Sequence, residues 1–138
     1  MLELAKARLG ESAALRLADA TQMPYEAGSF DLVICMLALH EMDEGVRGKV
    51  IGEIKRVIKR DGRILFIDFH AGRPRPFKGW LSKSVILLAE IAAGRRHFRG
   101  YRHFMSIGGL PHLIAEHKLS VVKEKIVGDD TLALYLLR

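Results

Sequence analysis

A single cysteine, Cys35, stands in 138 residues. No disulfide can form within one chain, and a reducing, cytoplasmic setting is the natural expectation. Long hydrophobic runs are lacking too. The longest, residues 85–93, is far short of the roughly 20 residues that a membrane-crossing helix needs, and it contains Glu90. The first residues read as an amphipathic helix start with no basic region leading into an apolar core, so no signal peptide is expected. There is no internal repeat and no low-complexity stretch. Metal-ligand spacing is missing as well: His97 and His103 are six apart, His112 and His117 five apart, and no cysteine pair joins them. Neither spacing sets two ligands squarely on one helix face, and no metal site is expected.

Acidic residues are scarce in one region. Between Arg60 and His103 there are ten Lys/Arg against three acids, in a chain whose net charge is +6. A solvated basic face accounts for this; so does an anionic substrate, an anionic membrane surface or nucleic acid. What is present is ordinary for a globular protein, 49% hydrophobic and 28% charged residues, enough for one domain over 1–138 with its own core.

The chain is organised around residues 29–40. From Phe30 to Met36 the sequence is almost unbrokenly apolar and β-favouring after Gly28-Ser29, the pattern of a strand buried on both faces inside a parallel sheet. His40 closes this stretch, where ligands sit in open α/β sheets, beyond the carboxyl ends of the strands. Before it, Leu2, Leu4, Ala5 and Leu9 predict a short helix stopped by Gly10. Residues 14–19 alternate enough to predict a strand ending at Asp19, and a polar connection with Pro24 follows. After it, Asp43 is an N-cap candidate. Val46, Val50, Ile51, Ile54, Val57 and Ile58 give a helix with one apolar face, ended by Asp61-Gly62. Residues 63–68 predict the next strand, parallel to the first. Residues 71–76 form a loop. Residues 78–93 predict a helix whose apolar members are Trp80, Leu81, Ile86, Leu87, Leu88 and Ile91, followed by a basic and aromatic segment, 95–105. A short helix, 110–117, and a hairpin of 121–127 with 132–137 complete the chain.

In order and spacing, Ala18-Asp19-Ala20, Met23-Pro24-Tyr25, Gly28-Ser29-Phe30-Asp31-Leu32-Val33-Ile34, Leu39-His40-Glu41-Met42 and residues 53–65 resemble the class I S-adenosylmethionine-dependent methyltransferases. The nearest likeness is to the group that includes the ubiquinone/menaquinone-biosynthesis C-methyltransferases. The resemblance implies an α/β, Rossmann-like fold with a mostly parallel sheet and a C-terminal antiparallel hairpin, S-adenosylmethionine as cofactor, and a small-molecule methyl acceptor. By the same resemblance, Asp19 would accept a hydrogen bond from the adenine amino group, the Ala20 N–H would meet the ring, and the Cys35 and Met36 backbone would lie along the methionine part. His40 would be a base where the acceptor must lose a proton; Glu41, Asp68, Arg99 and Tyr101 would line the acceptor side.

Each site residue also has a plainer account. Asp19 can cap a turn, His40 can cap a helix start, Asp68 can pair with an arginine, and Arg99 can sit on a solvated surface. The family's opening strand with its glycine-rich turn, and the second strand with its ribose-binding acid, have no counterpart in the sequence. The chain therefore resembles the last two-thirds of such a domain, N-terminally truncated by about one strand–helix–strand unit. Weak or absent cofactor binding by the chain alone is the expectation. So is self-association, element swapping or direct pairing of strands 14–19 and 30–36, because unpaired apolar edges are sticky. A non-catalytic module whose basic segment meets nucleic acid or an anionic membrane is the rival reading; peripheral membrane contact ranks above nucleic acid.

Overall fold

The computed structural model describes residues 2–73 and 77–138, with only the backbone of Leu2; residues 74–76 of the expected 71–76 loop lie outside that description. Its elements are α1 (Leu2–Leu9), β1 (Phe30–Met36), α2 (Glu44–Val57), β2 (Ile58–Phe69), α3 (Lys78–Ala92), α4 (Arg95–Ser106), α5 (Leu110–Glu116), β3 (Val121–Val127) and β4 (Leu132–Leu137), with a 3-10 turn at Leu39–Glu41. The four strands form one mixed sheet in the order β1-β2-β4-β3. β1 and β2 are parallel, as expected of the strand–helix–strand unit, whereas β2–β4 and β3–β4 are antiparallel. The expectation of a mostly parallel sheet is thus corrected. The hairpin return puts β4 between β2 and β3, and only one parallel pairing exists among the described strands.

Burial alternates along β2 and β4. Ile64, Phe66 and Asp68 are buried with Ala133, Tyr135 and Leu137, while their alternate neighbours are half-exposed. The two sets share one sheet face because successive side chains in a strand point to opposite sides. That face carries the core, closed by Val50, Ile51 and Ile54 of α2, Phe104 of α4, and Leu110, Leu113 and Ile114 of α5. The three- and four-residue spacing read in α2 is the spacing of its buried stripe. Asp43 occupies the N-cap but makes no side-chain cap bond; its carboxylate faces Arg96 at 3.8 Å.

Four expectations change. The segment 14–19 is not a strand, and Leu15 and Leu17 are exposed. A strand needs a partner for its N–H and C=O groups, and this short segment pairs with neither edge of the sheet. β1 is therefore an edge strand rather than a central one, with Leu32, Ile34 and Met36 half-exposed. α2 stops at Val57, not at Asp61-Gly62, because Ile58 already pairs with Phe30. The ladder then skips to Leu32↔Arg63, and residues 59–62 fill the irregularity. Gly62 suits that bend, since a Cβ there would lie 2.7 Å from Ile58 Cγ1. Lastly, the apolar side chains of α3 do not enter the core. Trp80, Leu81, Val85, Leu87, Leu88 and Ile91 are exposed, while Glu90 on the same helix is buried.

Candidate active site

β1 ends at Met36, and Leu37, at φ +48°, breaks the extended path while its N–H still donates to Ile67 O at 2.8 Å. The chain then folds into the Leu39–Glu41 turn, directly beyond the strand's carboxyl end. His40 in this turn is 2% exposed. Asp68, near the end of β2 and 1% exposed, holds it in place. Its Oδ2 accepts from Leu39 N (3.1 Å) and His40 N (3.2 Å); its Oδ1 accepts from Phe69 N (2.8 Å) and lies 2.7 Å from His40 Nδ1. A carboxylate only accepts, so Nδ1 donates to Asp68, and Nε2 is the ring nitrogen left outside that bond. Asp68 is therefore a positioning residue, with its oxygens engaged, and not a group held out to an acceptor. Its partner is a histidine and backbone, not the arginine that the plainer account supposed.

Arg47 fixes the turn from the other side. It is 1% exposed, and its Nε and Nη2 donate to Leu39 O (2.9 Å) and Met42 O (2.8 Å), with the guanidinium 5.4 Å from the Phe104 ring centroid. Burial pushes its pKa down from the ordinary arginine value, and the charges of Asp68 and nearby acids oppose that shift. Sequence reasoning missed Arg47, although its position was a signal: it lies on the apolar stripe of α2, three residues before Val50.

The expected basic–aromatic segment is α4, and its period separates two faces. His97, Gly100, Tyr101 and Phe104 point inward, whereas Arg95, Arg96, Arg99 and Arg102 are exposed. Gly100 touches the His40 turn, for a Cβ on it would lie 2.7 Å from Glu41 O and 2.9 Å from His40 O. That approach brings the His97 ring to 5.6 Å and the Tyr101 ring to 6.3 Å from the His40 ring, which also packs on Phe69 at 4.6 Å. Burial, and next the charge of Glu90, raise the Tyr101 pKa. Glu90, supplied by α3, completes the group. Its Oε1 is 3.8 Å from His40 Nε2 and its Oε2 is 2.6 Å from His97 Nε2. Glu90 was the second residue missed; an acid inside an apolar helix was its signal.

Glu41 joins the edge of this cluster, 3.8 Å from His40 Nε2 and 3.7 Å from His97 Nδ1. Beside it a cleft of about 420 Å³ opens between the turn and α4, lined in part by Ala38, Glu41, Val46, Ala93, Arg96 and His97. Of the expected acceptor-side residues, the structure thus brings His40, Glu41, Asp68 and Tyr101 together. Arg99 does not join them: it is exposed, 4.0 Å from Asp43, and lines a separate cleft on the outer face of α4.

Of the expected cofactor-side residues, Cys35 and Met36 lie in the edge strand β1. Asp19 is exposed at the head of an irregular loop, where Thr21 donates to its Oδ1 from both N and Oγ1 at 2.8 Å. These bonds hold its carboxyl below the usual carboxylate range. A carboxylate has lone pairs on two oxygens, so Asp19 can accept from an adenine amino group while serving as a turn cap. The loop after Ala20 is tied to α2: Glu53 Oε2 accepts from Met23 N, and Arg56 donates to Met23 O, Tyr25 O and Glu53. The Arg56 hydrogen bonds, with that from Met23, hold Glu53 down at about 2. Cys35 is half-buried with its thiol pushed up to about 11, by burial first and the charge of Asp68 second, which makes it packing rather than a nucleophile. Met36 is exposed on the free edge.

Comparison with known proteins agrees with the fold. Residues 1–66, the stretch holding Asp19, β1 and His40, match the family described as "Methyltransferase domain". An uncharacterized methyltransferase of Bacillus subtilis (strain 168) is 36% identical over 61 residues, 44% of this chain and 23% of that protein. A demethylmenaquinone methyltransferase of Thermotoga maritima is 26% identical over 130 residues, 91% of this chain and 54% of that protein. Among solved structures, the Burkholderia thailandensis 1,6-didemethyltoxoflavin-N1-methyltransferase with bound 1,6-didemethyltoxoflavin and S-adenosylhomocysteine superposes with a TM-score of 0.63 at 14% identity, covering 99% of this chain and 55% of that one. The chain thus spans about half or less of these relatives. Within that span, the α/β fold is shared over nearly the whole chain, and its first 66 residues are similar to the methyltransferase-domain family.

Proposed function

We propose that this chain is part of a Rossmann-like enzyme that transfers a methyl group from S-adenosylmethionine to a small-molecule acceptor. One observation carries the reading: the methyltransferase-domain match runs through the cofactor-side loop, the end of β1 and the His40 turn. The cofactor supplies an electrophilic methyl on a sulfonium. Methyl transfer of this kind depends on alignment and exclusion of water more than on acid–base help.

In this reading the residues divide the work by position. Asp19 accepts from the adenine amino group, Ala20 N–H meets the ring, and the Cys35–Met36 backbone lies along the methionine part. The His40 turn forms the acceptor-side wall. For an acceptor that must lose a proton, His40 Nε2 is the base, because Asp68 occupies Nδ1. Glu41 and Tyr101 line the same side. Arg99 holds an acidic group only for an acceptor that reaches the outer cleft. A cytoplasmic setting, supported by the lone thiol, and a second copy of the chain as partner, supported by the exposed apolar β1 and α3 side chains, belong to the same proposal.

The test is an equilibrium titration of the chain with S-adenosylhomocysteine. Saturable binding weaker than micromolar is expected, and Asp19→Ala should weaken it by about threefold to tenfold, the loss of one hydrogen bond. Equal affinity of Asp19→Ala and wild type would remove Asp19 from the site.

A further inference from the structure

We propose that His40, Glu90 and His97 form a binding site for one divalent transition-metal ion, with Zn²⁺ the best match. The three residues come from the turn after β1, from α3 and from α4, and their ligand atoms lie within 4.8 Å of one another. Two imidazoles and a carboxylate suit Zn²⁺, whereas Mg²⁺ and Ca²⁺ prefer all-oxygen sets. A tetrahedral zinc with bonds of about 2.0 Å would hold its ligand atoms roughly 3.3 Å apart. Glu90 Oε1 lies 3.8 Å from His40 Nε2 and its Oε2 2.6 Å from His97 Nε2, so each histidine faces a different oxygen of the one carboxylate.

Three features point the same way. First, Asp68 on Nδ1 leaves His40 Nε2 as the coordinating nitrogen, the carboxylate–histidine arrangement that orients metal-bound imidazoles. Second, Glu90 Oε2 is buried without a hydrogen bond, and its close contact is His97 Nε2 at 2.6 Å. A buried carboxylate oxygen left this way is costly, and an ion would satisfy it. Third, α3 turns this acid inward while exposing its leucines, tryptophan and valine. His97 is 23% exposed and borders the cleft, which provides an entry path. Glu41 lies 3.8 Å from His40 Nε2 but meets His97 at Nδ1, outside the three-residue group, so a solvent oxygen would complete the shell. One helix could not reveal this site by spacing, because its ligands come from three elements. A bound ion occupies His40 Nε2, so the metal role and the free-base role of His40 exclude each other at any moment.

The test is calorimetric titration of the chelator-treated 138-residue chain with ZnCl₂, repeated with MgCl₂. One equivalent of Zn²⁺ should bind at micromolar affinity or tighter, with no saturable Mg²⁺ binding. His97→Ala and Glu90→Gln should each weaken Zn²⁺ at least tenfold, and Asp68→Asn about tenfold to a hundredfold, while His112→Ala should change nothing. Circular dichroism checks the folding of each variant. As a second readout, Co²⁺ should give visible absorption in the wild type that His97→Ala, a half-exposed position, abolishes. No stoichiometric Zn²⁺ binding, or binding and Co²⁺ spectra unchanged in His97→Ala, would overturn the proposal. Neither readout uses methyl transfer, so the activity proposed above stands or falls separately.

Discussion

Arg47 is fully buried, and its guanidinium serves two carbonyls of the turn that carries His40. Arg47→Met keeps the bulk and removes both donors, leaving the Leu39 and Met42 carbonyls without them. The change should cost about 2–4 kcal/mol in urea unfolding; a loss under about 1 kcal/mol would show that water serves those carbonyls as well. At this scale the sequence was legible where a residue's role is local. Asp19 caps its own turn, and Cys35 sits in its strand with a thiol near 11. It was opaque where the role needs a partner far along the chain. Asp68 faces His40, 28 residues away, and nothing in its own neighbourhood marks it as a holder of a turn.

The element that sets the site is α4, seated on the His40 turn through Gly100. Two opposed effects make Gly100→Ala informative. Alanine favours a helix over glycine by about 1 kcal/mol, yet a Cβ here meets backbone atoms of Glu41 and His40 at 2.7–2.9 Å, which cannot swing aside. Overpacking of this kind costs about 1–3 kcal/mol, and a net loss of stability is expected. Gly52→Ala in α2 is the control, since nothing lies within 4 Å of its Cβ; it should stabilise by about 0.5–1 kcal/mol. Stabilisation by Gly100→Ala in thermal unfolding would mean that α4 does not dock as described. The helices themselves were legible because apolar periodicity is local, as in Val50, Ile51, Ile54 and Val57. The inversion of α3 was not: periodicity finds an apolar face but not whether anything covers it.

Across the whole molecule, one sheet face carries the core while β1 and α3 leave large apolar side chains exposed. Phe30 to Met36 reads as a doubly buried strand because its composition is that of one, but burial needs neighbours, and β1 has a partner on one edge only. The hairpin of β3 and β4 was legible from its short polar loop; its antiparallel docking onto β2, which makes the sheet mixed, depends on contacts that no local pattern encodes. Exposed apolar area on this scale favours association. Light scattering on the purified chain should give a dimer or larger, and Trp80→Lys with Leu88→Lys should lower that mass; a monomer at all concentrations would contradict the partner proposal. No described helix is long and apolar enough to cross a membrane.

The central proposal is that a methyl donor binds between the Asp19 loop and the His40 turn. Amide chemical shifts in ¹⁵N-labelled chain, followed while S-adenosylhomocysteine is added into the millimolar range, test it most directly because they register weak binding and locate it. Saturable shifts should cluster at Asp19–Thr21 and from Cys35 to Glu41. A spectrum that does not move, or shifts confined to the outer face of α4, would contradict the account.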